Sequence, residues 1–256
     1  MRDPHVQELK YNVRTQHTVS FIPSVSLVTE NDQFVFRLSG EALSVLPKGH
    51  YPSLQEARNA VEPFLRAWEL DDALRLGSTQ FTFAYQDVTI VDRDPPPPGA
   101  SQQIVVASAE IVLASDTVTA TVTRGTFPDP PSDFMATPDA ESMWNRYEGY
   151  TAGKEPLLSM AYFCLTLVEA RGGDREGAAA SFKISRLILR KLGELTSARG
   201  DASAARKYPR QTSPVPLTPA EARWIEAAIR AIIRRVGQFP KLAALQELNI
   251  ADLPPI

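Results

Sequence analysis

The sequence predicts an α+β protein: an N-terminal, mainly antiparallel β domain with one helix, then a C-terminal bundle of four or five helices. Three observations predict it. Period-two alternation of β-branched and aromatic residues dominates the stretch from about Tyr11 to Arg124. Capped segments of helical period follow one another after Thr137. Between them lies the proline-rich stretch Phe127-Pro-Asp-Pro-Pro-Ser-Asp-Phe134, which reads as a hinge. The expected domains are therefore 1–130 and 135–256. At 256 residues and 43% hydrophobic content the chain is long enough for two cores.

Six strands are expected, at about 12–22, 24–30, 33–39, 79–92, 103–114 and 117–124. Phe34, Phe36 and Leu38 alternate with Val35 and Arg37, and Phe81, Phe83 and Tyr85 with Thr82 and Ala84. Asn31-Asp32 and Ser115-Asp116 supply short turns. The run Pro95–Pro98 has no ladder donors, so it connects strands rather than joining a sheet. Within this region Ser53-Leu-Gln-Glu56 spells a capping box. Leu54, Ala57, Val61, Phe64, Leu65 and Trp68 then recur at helical spacing, up to Leu76 with Gly77 as C-cap. Pro63 should kink or split that helix.

In the second half, Thr137-Pro138 opens a helix to about Gly149 or Gly153. Pro156 opens the next, to about Arg171, closed by Gly172-Gly173. Asp174 caps a third, expected to run on to about Ser197. Thr218-Pro-Ala-Glu221 combines a capping box with a proline in the first turn and opens a helix to about Val236. Pro240 opens a last helix through Leu248.

The single cysteine, Cys164, excludes an intramolecular disulfide and sits among Leu157, Met160, Leu165 and Val168 as a core thiol. The longest apolar run, Leu157 to Val168, is too short to span a bilayer, and the first residues lack the apolar region of a signal peptide. A cytoplasmic protein with no membrane partner is expected. His5, His17 and His50 lie far apart in sequence and give no zinc spacing. No GxSxG, GxGxxG or P-loop pattern occurs. The expectation is therefore no catalytic residue, no metal and no cofactor.

Charge divides at the hinge. Residues 1–138 hold 10 Lys+Arg against 17 Asp+Glu, a net of −7, and residues 139–256 hold 17 against 13, a net of +4. The basic excess concentrates in 183–210, with Lys183, Arg186, Arg190, Lys191, Arg199, Arg206, Lys207 and Arg210 against Glu194 and Asp201. Lys183, Arg186 and Arg190 are expected on one helix face, opposite a core stripe of Ile184, Leu187, Ile188, Leu192 and Leu195. Such a face suits a polyanion such as RNA. It also suits a solvated helix side, the usual role of a charge run.

Two further groupings stand out. Tyr147, Tyr150, Lys154 and Glu155 gather acid–base groups at a helix corner, a place for a small-molecule pocket or for half-buried amphipathic side chains. Ile225, Ile229, Ile232, Ile233 and Val236 make an apolar stripe broad enough to serve a core and a partner, hence a homo-oligomer. Glu62, Glu69, Asp71 and Asp72 read as an acidic helix face without the register of a calcium loop.

The helical half, with its Tyr-rich first helix, the segment Pro156–Glu169, the helix Ile184–Leu195, Arg199 and the capped helix from Thr218 to Arg235, resembles the HEPN-type helical domains of bacterial defence and toxin proteins over about 138–237. That resemblance implies ribonuclease chemistry only where an Arg is followed four to six residues on by a His. Here Arg199 is followed at that distance by Ala204 and Ala205, and no histidine occurs after His50. What the resemblance leaves is a non-catalytic bundle that dimerises or binds RNA or protein.

Overall fold

The structure is a computed structural model, and it describes residues 1–15, 19–21, 26–94, 122–124, 127–199, 215–239 and 245–256. The expected strands at 103–114 and most of 117–124, the Pro95–Pro98 run and the Ser115-Asp116 turn lie outside these residues. The chain divides into two compact units, Met1–Pro130 and Pro131–Ile256. The architecture is α+β.

The first unit is built on a five-stranded antiparallel sheet of order β3-β4-β5-β1-β6, with β1 Pro4–Thr15, β3 Leu27–Glu30, β4 Phe34–Ser39, β5 Ala42–Pro47 and β6 Phe81–Asp92. A separate parallel pair joins β2, Val19–Phe21, to β7, Val122–Arg124. The expected strand over 12–22 is corrected: β1 starts at Pro4 and ends at Thr15. Its buried residues are Val6, Leu9, Tyr11 and Val13, so the inward parity changes between Val6 and Leu9. A bulge at Val6/Glu8 against β6 causes the change. One extra residue flips every following side chain to the other face, which breaks the period-two signal. β5 was not expected either. It buries only Leu43 and Val45, too short an alternation to stand out.

The turn between β3 and β4 forms at Asn31, whose Oδ1 accepts the amides of Gln33 at 2.9 Å and Phe34 at 2.8 Å. α1, Leu54–Leu76, is capped as expected: the Ser53 hydroxyl accepts the Glu56 amide, and Gly77 takes φ 85°, a left-handed angle natural only to glycine. Pro63 does not split it, because the helix continues on both sides. Ala57, Val61, Leu65 and Trp68 bury one face in a core with Leu9, Phe34, Phe36 and Val45. Phe64 stacks on Phe36 at 4.6 Å. Trp68 meets Phe81, Phe83 and Phe127, and its indole N–H donates to the Pro128 carbonyl at 2.9 Å. Aromatic burial of this kind dominates the stability of such a core.

The second unit is helical: α2 Pro138–Thr151, α3 Leu157–Gly172, α4 Arg175–Phe182, α5 Arg186–Ala198 and α6 Pro219–Gln238, with a 3-10 turn at Ile250–Asp252. α3 packs against each of the other four and buries Leu158, Met160, Ala161, Cys164, Leu165 and Val168. Among the described residues no helix is long and apolar enough to cross a membrane.

Two expectations fail here. The helix opened by Asp174 does not run to Ser197. It breaks at Lys183, which adopts φ 49° and ψ 50° and separates α4 from α5. The break is held from a distance: Ile184 pairs with Leu248, the Ser185 amide donates to the Leu248 carbonyl at 2.8 Å, and the Leu248 amide to the Lys183 carbonyl at 2.9 Å. The same contacts explain why residues 245–248 are extended and not helical; the expected last helix is absent over them, and 240–244 lie outside the described residues. Gly237 does not end α6. It lies inside the helix, and the Phe134 ring occupies the space where a Cβ would stand.

Candidate functional site

The break at Lys183 rearranges the basic stretch. Lys183 no longer shares a face with Arg186 and Arg190. Its Nζ donates to the Leu245 carbonyl at 3.0 Å, so it braces the α4–α5 junction. The core stripe differs at one position: Leu187, expected in it, is 47% exposed, while Leu189 is buried. Arg186 and Arg190 stand one turn apart on the outer face of α5, with side chains 66% and 64% exposed. Their partners are Glu176 at 3.3 Å and Glu194 at 3.6 Å, both exposed themselves. Lys191 follows on the half-buried flank.

Arg199 differs from these. Its Nε and Nη2 both donate to Glu221 Oε1, at 3.0 and 2.9 Å, and Glu221 is almost fully buried. Glu221 Oε2 in turn accepts the Thr218 amide, completing the capping box of α6. Burial pushes the Glu221 carboxyl up, but the Thr218 amide, the Arg199 guanidinium and the Thr218 hydroxyl together hold it below the usual carboxylate range. Arg199 is thus a clamp between the end of α5 and the start of α6. Arg206, Lys207 and Arg210, with Gly200 and Asp201, lie outside the described residues.

The members of the helix-corner group make separate contacts. Tyr147 is buried and stacks on Trp144 at 5.3 Å. Tyr150 donates its hydroxyl to Glu226 of α6 at 2.5 Å; burial and that carboxylate raise its phenol well above the ordinary value. Glu155 pairs with Arg146, whose guanidinium lies 4.7 Å over the Phe163 ring. Lys154 stays at the exposed turn after Gly153, which has φ 69°. The tyrosines and the glutamate therefore hold α2, α3 and α6 to each other.

Cys164 is completely buried, and burial raises its thiol far above the usual range, so it carries no nucleophilic chemistry. The α6 stripe Ile225, Ile229, Ile232, Ile233 and Val236 is spent on the core, each residue at most 3% exposed. It offers no apolar face to a second copy. The acidic face on α1 is corrected as well: Glu69, Asp71 and Asp72 are buried. Glu69 accepts the Phe83 amide at 2.6 Å and pairs with Arg66, while Asp71 pairs with Arg75. Among the described residues no three His, Cys, Asp or Glu converge to hold a metal ion.

One grouping had no signal in the sequence. His5 and His50, 45 residues apart, bring their rings to 5.3 Å, beside Asp3. His17 lies outside the described residues.

The fold and these contacts define a two-unit α+β protein with a loosely paired basic face on its helical unit. No protein-family model, curated protein or solved structure matches the chain.

Proposed function

We propose that the chain is a non-catalytic binding protein whose helical unit docks a polyanion, RNA in the first instance, on the outer face of α5. One observation carries this reading. Arg186 and Arg190 are the two exposed cations of that face, one turn apart, and their glutamate partners are exposed and at 3.3 and 3.6 Å. Exposed pairs of this kind are worth about 0–1 kcal/mol each, so phosphates displace them at little cost. Lys191 flanks the pair. Lys183 and Arg199 are already held by the fold, on the Leu245 carbonyl and on Glu221.

The test is fluorescence anisotropy of a short single-stranded RNA with the full chain, from 25 to 200 mM salt. Binding at low salt is expected, with an affinity that falls as salt rises. Replacing Arg186 and Arg190 by Glu should weaken it at least tenfold and lower the salt slope by about 1.4, the value for two phosphate contacts on a single strand. Absence of binding at low salt overturns the proposal, as does binding indifferent to the double substitution.

A further inference from the structure

The segment that leads from β5 into α1 is tied to β1 at three points. The Val6 amide donates to the Tyr51 carbonyl at 2.9 Å, the Tyr51 amide donates to His5 Nδ1 at 3.4 Å, and His50 Nε2 lies 3.0 Å from the Pro4 carbonyl. Tyr51 also stacks its ring on Phe34 of the core at 5.3 Å. These contacts fix the protonation of both rings. A carbonyl only accepts, so His50 Nε2 carries a proton, and its second neighbour, Asp3 Oδ1 at 3.2 Å, accepts as well. His5 Nδ1 faces an amide N–H and must be bare. His50 keeps its contacts when it becomes a cation; His5 loses its contact when it does.

We propose that the His5–His50 pair is an acid-sensitive latch: protonation of His5 releases the Tyr51 end of the β5–α1 connection from β1. The chemistry follows from the geometry. A proton on Nδ1 sets two donors against each other, and the new imidazolium stands 5.3 Å from the His50 ring. The charged groups around His5 come from every neighbouring element. Asp3 on the approach to β1 favours the cation, while His50 before α1 and Arg93 after β6 oppose it. Asp92, at the end of β6, is occupied by the amides of Arg2, Asp3 and Asp94 and lies in the field of the Met1 amino group. Burial, then Arg93 and His50, depress the His5 value below its ordinary 6.5. The folded state therefore binds fewer protons than the released state. The latch is fully closed above about pH 6.5 and opens as pH falls through the folded value.

Amide hydrogen exchange of the full chain by NMR, corrected for the intrinsic pH dependence, tests this. Between pH 7.5 and 5 the protection of the Tyr51 amide should fall about tenfold, while Leu9 and Phe36 in the sheet centre keep theirs. The midpoint should coincide with the titration of the His5 ring read from its own Cε1–H shift, a comparison that needs no variant. His5→Asn, which leaves a neutral acceptor near the Nδ1 position, should keep the protection and lose the pH dependence. His50→Gln should move the midpoint upward by removing a like charge. Protection of Tyr51 that stays constant in the wild type overturns the latch. So does a fall of equal size in His5→Asn, or a loss shared by Leu9 and Phe36, which would be global unfolding.

Discussion

Arg199→Ala separates a structural arginine from a phosphate-binding one. The wild-type guanidinium gives two N–H bonds, 3.0 and 2.9 Å, to one oxygen of a carboxylate that is 4% exposed. Truncation leaves that carboxylate with the Thr218 amide and the Thr218 hydroxyl. Hydrogen bonds to charged groups contribute about 1.5–3 kcal/mol, and the Arg199 side chain is a third exposed, so water recovers part of the loss. A cost of about 2 kcal/mol is expected, or about 5–8 °C in the Tm of the helical unit. Urea titration followed by circular dichroism at 222 nm reads it as a lower midpoint with an unchanged slope. Glu221→Gln in the same chain should restore part of the loss, because the unpaired buried charge is gone. The effect also depends on pH. The Glu221 carboxyl is lowered in the folded state, so its contribution is complete above its unfolded value of about 4.5 and is lost as pH falls through the folded value. The difference between wild type and Arg199→Ala should therefore shrink in acid. An unchanged midpoint, or an RNA affinity that falls as in the Arg186→Glu, Arg190→Glu double variant while stability stays put, refutes the structural assignment.

Gly237→Ala should destabilise the helical unit by about 1–3 kcal/mol in the same urea titration, although alanine gains about 1 kcal/mol in helix propensity. The new Cβ would stand 2.1 Å from the Phe134 ring, so Phe134→Leu beside it should recover much of the loss. Cys164 should not react with a thiol reagent such as dithionitrobenzoate in the folded chain at pH 8 and should react fully in denaturing urea, since it is buried and its thiol is raised by that burial. Rapid native labelling would show that α3 opens locally.

Which parts of the structure were legible follows from how far each determinant reaches along the chain. Caps reach three or four residues, and Ser53, Thr137, Asp174 and Thr218 all start helices as their sequence neighbourhoods indicate. Gly77 and Gly173 end helices for the same local reason. The break at Lys183 has no local cause: nothing in Ser-Phe-Lys-Ile-Ser stops a helix, and the groups that hold it, Leu245 and Leu248, lie more than 60 residues on. The bulge in β1 hides its first half because parity, not hydrophobicity, carries the strand signal. The His5–His50 pair exists only once β1 lies beside the β5–α1 connection.

The basic stretch shows the same limit in its functional form. Composition reveals where cations are abundant, but a polyanion responds to cations that are free to exchange partners. Of the five described members of that stretch, Lys183 caps a carbonyl and Arg199 is locked on a buried carboxylate. Arg186 and Arg190 pair with the exposed Glu176 and Glu194. Availability depends on the backbone angle at Lys183, because a continuous helix would have carried its ammonium round to join the two arginines. Leu187, next to Arg186, is exposed, and Leu189 is buried. A distant strand-like contact at Leu248 thus separates Lys183 from the two arginines of α5.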